Sequence, residues 1–282
     1  MECPHIWLCF SISINLPFLY KLYLPRTHCV FMCGEQLVKA VAPNARVVVD
    51  GVAYAPHRAI DVKAWGCDWY VWIVYKVFGP HMAVLFGTNE AFADLESVGP
   101  NHFWISGKEV PYKFEIGGPS HEACAGLVAT GSYFQALAEW EESDSEPKGN
   151  GTHARRELSR DTVEKFFERV ISMELPLQER IVTCLSKKPM VTIIGPGPGD
   201  AARVSTISFV HSLKKPSTLS KEIQDAGFAV RNGHMYSYRL ATAIKDKLGH
   251  NDIEEGVVRM SLVHYNTPEE VDALCATLYN LL

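Results

Sequence analysis

Two runs of β-branched and aromatic residues stand out in the first half of the chain, ARVVVDG over residues 45–51 and DWYVWIVYK over residues 68–76. Neither alternates cleanly between apolar and polar positions, so both read as strands buried on two faces, as parallel strands are. Residues 52–67 between them suffice for a crossover with a short helix. A third run, MAVLFG over 82–87, follows after only a Gly-Pro-His turn. That turn is too short for a parallel crossover and predicts an antiparallel neighbour. SHEACAGLVATGSYFQALAEWEE, over 120–142, places apolar residues at helical spacing and predicts one long helix.

The stretch SDSEPKGNGTHARRELSRD, 143–161, is polar, charged and rich in breakers, and reads as a surface connection between lobes. A helix from Thr162 to Leu185 leads into a second α/β region. There MVTIIG (190–195), RVSTISFVH (203–211) and GVVRMSLVHY (256–265) read as strands, and SKEIQDAGF (220–228) as a helix. The last element, TPEEVDALCATLYNLL (267–282), has Thr267 as N-cap, Pro268 at the first helical position and Glu270 closing a capping box.

The chain has 282 residues, 47% hydrophobic and 21% charged, which suits a globular protein of two lobes. A net charge of −5 offers no basic field, so nucleic acid is not an expected partner. Eight cysteines without a CxxC pair argue against a zinc site or a disulfide scaffold and read as reduced, cytosolic thiols; no metal is expected. IWLCFSISINLPFLY, 6–20, lacks a basic flank and a small-residue cleavage site, and its proline spoils a membrane span. Residues 1–34 are therefore taken as an atypical hydrophobic start, non-native or poorly ordered, and no membrane association is expected. Asn150-Gly151-Thr152 is formally a glycosylation acceptor, read here only as an exposed polar loop.

Two candidates for a phosphate or cofactor site present themselves. Gly195-Pro196-Gly197-Pro198-Gly199 looks like a phosphate loop, but two prolines remove backbone N–H donors and no GK[ST] follows, so it reads as a turn. Asp50 and Lys76 are more informative. Each falls at the carboxyl end of an expected parallel strand, the edge where open α/β sheets bind ligands, with strands roughly 5 Å apart. A carboxylate and an amine at that edge suit pyridoxal phosphate, the acid pairing with a protonated ring nitrogen and the lysine holding the aldehyde as a Schiff base. An ordinary Asp–Lys ion pair at a sheet edge is the other reading.

VVVDGVAYAPHRAIDVKAWGCDWYVWIVYKVFGPHMAVLFG, 47–87, resembles the cofactor-binding segment of class V aminotransferases, specifically their cysteine desulfurase-like branch. The resemblance implies that Asp50 binds the pyridinium nitrogen and that Lys76, in its K-x-x-G-P context, is the Schiff-base lysine. FEIGGPSHEACAGL (114–127) resembles the stretch that reaches a neighbouring subunit's phosphate site. GFAVRNGHMYSYRL (227–240) and VVRMSLVHYNTPEEVDAL (257–274) resemble the small domain, with Arg259 at the position of the arginine that binds a substrate carboxylate. Tyr75 is either a phosphate- or ring-side contact or a packed tyrosine, and His57 and His81 flank the site and read as structural or solvent-facing.

The implied architecture is α/β: a partial pyridoxal-phosphate-dependent transferase fold of type I, with the remnant of a mainly parallel large-domain sheet carrying an antiparallel strand, and a C-terminal α/β small domain. The expected boundaries are 1–34 for the atypical start, 35–155 for the partial cofactor-binding domain and 156–282 for the small domain. The implied protein is a cytoplasmic homodimer acting on an amino acid with pyridoxal 5'-phosphate. Four departures bear on this. Tyr236 stands where desulfurases carry the sulfur-accepting cysteine, so persulfide chemistry is not expected. Ile73 replaces a hydroxyl that binds the phosphate, Ala53 replaces a side chain that contacts the ring's phenolic oxygen, and the family's N-terminal half is missing. The other expectation is therefore a non-catalytic remnant that keeps the fold but not the cofactor.

Overall fold

The computed structural model describes residues 7–11, 39–40, 42–93, 95, 105, 109–110, 113–115, 117–140, 158–198, 203–248 and 252–282. The polar connection over 143–157, with its Asn150-Gly151-Thr152 sequon, lies outside them. The described residues divide into two compact units, one ending at Phe166 and one running from Phe167 to Leu282.

The first unit is built on the sheet β1-β2-β3-β4. Its strands are β1 (Trp7–Ser11), β2 (Arg46–Asp50), β3 (Trp69–Ile73) and β4 (Ala83–Gly87). β2 and β3 are parallel, with Asp50 opposite Val71, and β4 returns antiparallel with Ile73 opposite Ala83. The pairing follows the connection lengths, as the sequence pattern predicts. Residues 7–11, read from sequence only as part of an atypical start, run parallel to β2 with Ser11 opposite Asp50. The crossover holds the short helix α1 (Val62–Trp65), whose N-cap Asp61 accepts a hydrogen bond from the Ala64 N–H at 2.9 Å and which ends at Gly66 in the left-handed region.

The expectation that β2 is buried on both faces needs correction. Val47 and Val49 are fully buried, whereas Arg46, Val48 and Asp50 are half-buried. The buried face is the one that carries Tyr70, opposite Val49, and Trp65 of the crossover packs on Tyr70 with ring centroids 5.7 Å apart. Downstream, α2 (Asn89–Ala93) follows β4, and α3 (His121–Ala138) is the long helix the spacing predicts, capped by the Ser120 hydroxyl on the Ala123 N–H.

At the amino end of β3, Asp68 anchors the sheet. Its carboxylate accepts hydrogen bonds from Lys39 Nζ at 2.7 Å, from an Arg46 guanidinium N–H at 2.7 Å and from the Val47 N–H at 2.8 Å. Burial alone would raise this carboxyl's pKa, but those donors outweigh it and hold the group below its ordinary value.

Helix α4 (Arg160–Ser186) contains the boundary between the units. The second unit then folds as β5 (Val191–Ile194), β6 (Thr206–His211), α5 (Pro216–Asp225), β7 (Arg231–Gly233), α6 (Tyr238–Ala243), α7 (Lys245–Leu248), β8 (Val257–Ser261) and α8 (Pro268–Leu281). Its sheet runs β5-β6-β8-β7 and every paired strand is antiparallel. One face sends Ile207, Phe209, Val258 and Met260 into a core with Ile181 and Leu185 of α4, Leu219 and Ile223 of α5, and Val271, Leu274 and Leu278 of α8. A smaller cluster, Ile194 and Val210 with Ala241, Ile244 and Leu248, lies under α6 and α7. The capping box at Thr267 and Glu270 is present with both of its hydrogen bonds.

Candidate active site

β2 delivers Asp50 to the carboxyl edge of the parallel pair. Its Oδ1 accepts the Val52 N–H at 3.1 Å, which turns the chain away from the strand. Gly51 extends the pairing by donating to the Val71 carbonyl at 2.8 Å. The Tyr70 ring occupies the volume that a side chain at Gly51 would need, so only glycine fits there. The Tyr70 hydroxyl is buried and has no hydrogen-bond partner among the described residues. Burial, and after it the neighbouring Tyr54, Cys67 and Asp50, push this phenol above its ordinary pKa, so it remains protonated.

The lysine is not on the strand. β3 ends at Ile73, and Lys76 lies in a 3-10 turn over Val74–Val77. The correction has a clear cause: the Val74 N–H bonds to the Met82 carbonyl at 2.9 Å, closing the turn that leads to β4. Within the turn Val74 and Val77 are buried while Tyr75 and Lys76 are exposed. Because the two strands are parallel, Asp50 and the turn bearing Lys76 occupy the same edge of the sheet. Asp50, Val71 and Ile73 share one sheet face by register and alternation.

The K-x-x-G-P turn is held by α3. Phe78 adopts the left-handed region at φ 63° and caps the turn through its N–H to the Val74 carbonyl. A side chain on Gly79 would overlap Val74 and stand 2.8 Å from the Thr130 hydroxyl oxygen, while one on Gly126 would meet Pro80 at 3.1 Å. The Phe78 ring contacts Tyr133 at 5.6 Å and Phe166 at 6.3 Å, and Phe166 stacks on Phe134 at 3.9 Å. Strain at a left-handed phenylalanine costs about 1–3 kcal/mol and is offset by this packing. The aromatic cluster thereby fixes the turn that presents Lys76.

Of the other sequence candidates, Tyr75 is 43% exposed and stacks on His81 with ring centroids 4.6 Å apart, so these two form a surface pair. His57 is buried in the crossover. Tyr236 is 97% exposed at φ 63°, directly after Met235 at φ 52°. Arg259 belongs to the second unit, at the centre of β8. Burial, and after it the charge of Arg231, holds its guanidinium below the ordinary value. Asp68, which the sequence reading passed over, is a carboxylate bound by Lys39, Arg46 and the Val47 N–H, but it sits at the edge opposite Asp50 and these partners mark it as structural. Among the described residues no group of His, Cys, Asp and Glu is arranged to hold a metal ion.

The donor set at the Asp50 edge fits pyridoxal phosphate in two respects. A half-buried carboxylate suits a basic ring nitrogen, and an exposed primary amine suits an aldehyde. On the phosphate side, Ile73 brings no hydroxyl to the face it shares with Asp50.

Comparison with known proteins places the chain. The family model for aminotransferase class-V matches residues 34–160 and 161–274. The chain belongs to the aminotransferase class-V family. It is 36% identical over 265 residues to the aminotransferase-like protein FGM3 of Gibberella zeae, an alignment covering 91% of this chain and 58% of that protein. It is 28% identical over 243 residues to the cysteine desulfurase-like protein ustD of Aspergillus flavus, covering 84% of this chain and 47% of the relative. The crystal structure of the cysteine desulfurase CsdA from Escherichia coli shares the fold, with a TM-score of 0.62 at 21% identity, covering 86% of this chain and 53% of that one. The chain thus spans about half the length of these relatives, and its fold is that of a partial class V enzyme.

Proposed function

We propose that this chain carries the lysine-bearing part of a pyridoxal-phosphate site and acts on an amino acid. The observation that supports the reading best is the placement of Asp50 and the exposed Lys76 at one edge of the parallel β2–β3 pair, in a chain of this family. The cofactor, when bound, supplies an aldehyde that condenses with amines and a ring that accepts electrons from the substrate's α-carbon.

The chain's own residues take three roles. The Asp50 carboxylate holds a proton on the ring nitrogen. Lys76 Nζ would be the cofactor's covalent attachment point and the base that moves the substrate's α-proton. Arg259 receives the substrate's carboxylate through its planar fork. Tyr236, in the position of a sulfur-accepting cysteine, offers a phenol and no thiol, so sulfur transfer by persulfide is not part of the proposal. By the same resemblance the working form is a homodimer, and the unpaired cysteine spacing suits a cytoplasmic protein. None of the described helices is long and apolar enough to cross a membrane. A second reading, a chain that keeps the fold without retaining the cofactor, is favoured by Ile73 alone.

An absorbance titration of the protein with pyridoxal phosphate separates these readings. Attachment at Lys76 predicts a saturable long-wavelength band that Lys76→Ala abolishes and that Asp50→Ala weakens. No saturable band in the wild-type chain would favour the second reading.

A further inference from the structure

The sheet of the second unit has two unlike faces. Val258 and Met260 of β8 point into the helix-covered core, while Arg259 between them points to the other face. There the register aligns Ser208 of β6, Arg259 of β8 and Arg231 of β7 in one row across three strands. The adjacent row pairs Thr206 with Ser261, whose hydroxyls lie 3.4 Å apart.

Directly opposed residues on antiparallel strands have Cβ atoms about 5 Å apart, and like charges so placed repel. Arg231 is exposed and Arg259 half-buried. Among the described residues neither guanidinium makes an ion pair or a side-chain hydrogen bond, and the Arg259 Nε is buried without a partner. The opposition is enforced by backbone. Gly256 at φ 56° and Gly233 at φ 123° approach so closely that a side chain on Gly256 would overlap the Gly233 peptide, which locks β7 onto β8. A fold that fixes two uncompensated guanidiniums side by side presents two carboxylate forks, and a monocarboxylate satisfies only one.

We propose that Arg231 and Arg259 together bind a ligand with two anionic groups, and that the substrate is accordingly an acidic amino acid, its α-carboxylate at Arg259 and its side-chain carboxylate at Arg231. The substrate assignment rests on the reading of Arg259 as the carboxylate-binding residue. Arg231 is then the specificity-determining residue, discriminating by the second charge.

Calorimetric titration of the chain with succinate and with acetate tests this. Succinate is expected to bind at least tenfold more tightly than acetate, and Arg231→Gln, with an unchanged circular dichroism spectrum, is expected to bring succinate to the level of acetate. Arg231→Lys, which keeps the charge but loses the fork, should retain part of the preference. Succinate binding no tighter than acetate, or a preference that survives Arg231→Gln, overturns the proposal. Arg259→Gln separates the two readings: it should weaken both ligands. If acetate binding is untouched by Arg259→Gln, the carboxylate role of Arg259 fails as well. If acetate weakens but succinate never had an advantage, only the two-anion proposal falls.

Discussion

Tyr70 fills the space that any side chain on Gly51 would require, and its hydroxyl is buried there without a hydrogen-bond partner among the described residues. Gly51 immediately follows Asp50, so the ring buttresses the turn that carries the proposed ring-nitrogen ligand. Gly51→Ala should therefore destabilise the fold by about 1–3 kcal/mol, the range for overpacking. Tyr70→Phe should be neutral or stabilising, because it removes an unsatisfied polar atom worth about 1–3 kcal/mol. Urea denaturation of both variants checks the pair, and a strongly destabilised Tyr70→Phe would refute the assignment of an unpartnered hydroxyl.

Asp68 predicts an acid-sensitive first unit. Its carboxyl is held below the ordinary 3.8 in the folded chain by Lys39, the Val47 N–H and Arg46. A depressed acid contributes stability that is fully present above its unfolded value and is lost as pH falls through the folded one. The wild type should thus lose part of its stability on descending below about pH 4. Asp68→Asn should be about 1–3 kcal/mol less stable at neutral pH, since the half-buried Lys39 and Arg46 lose their counter-charge, and should show a shallower acid dependence. Thermal unfolding from pH 2 to 7 reads both effects.

Cys275 on α8 lies against Cys184 on α4, whose Sγ contacts the Cys275 carbonyl at 3.7 Å. Burial, and after it the neighbouring Cys184, push the Cys275 thiol up to about 12. At pH 8 Cys275 should resist iodoacetamide because almost none of it is thiolate. Cys184→Ser should lower that barrier and speed its alkylation. Mass spectrometric mapping of alkylated cysteines over time checks this, and rapid labelling of Cys275 in the wild type would contradict it.

Gly256→Ala should cost about 2 kcal/mol or more, combining a left-handed alanine with overlap on the Gly233 peptide. If the glycine pair sets the β7 register, the variant should also lose any succinate preference while Arg259 remains in place.

The sequence made the local structure legible where a single stretch determines it. The run lengths of β2, β3 and β4 and the connections between them decided parallel against antiparallel pairing, and Thr267 with Glu270 marked the last helix to the residue. The sequence pattern places Lys76 on the strand because YVWIVY, 70–75, runs apolar and aromatic right up to it and shows no boundary at Ile73. The boundary comes from the Val74–Met82 hydrogen bond and from Gly79 meeting Thr130, a residue far along the chain. β7 was missed because Arg-Asn-Gly has neither alternation nor β-branched residues and is a strand only by pairing with β8. The Arg231–Arg259 opposition is a product of that pairing, so no reading of local pattern reveals it. The chemical candidates were legible for a different reason: an acid and a lysine at strand ends are rare in apolar runs, whereas Asp68, equally placed at an apolar edge, declares its structural role only through Lys39 and Arg46.

In the proposed site Asp50 and Lys76 address one cofactor ring. Incubating the protein with pyridoxal phosphate, reducing with borohydride and mapping the modified peptide tests it most directly. One reduced cofactor per chain is expected, on Lys76, at a level that falls in Asp50→Ala. Modification scattered over the surface lysines, with Lys76 no more labelled than Lys187 or Lys221 and no dependence on Asp50, would contradict it.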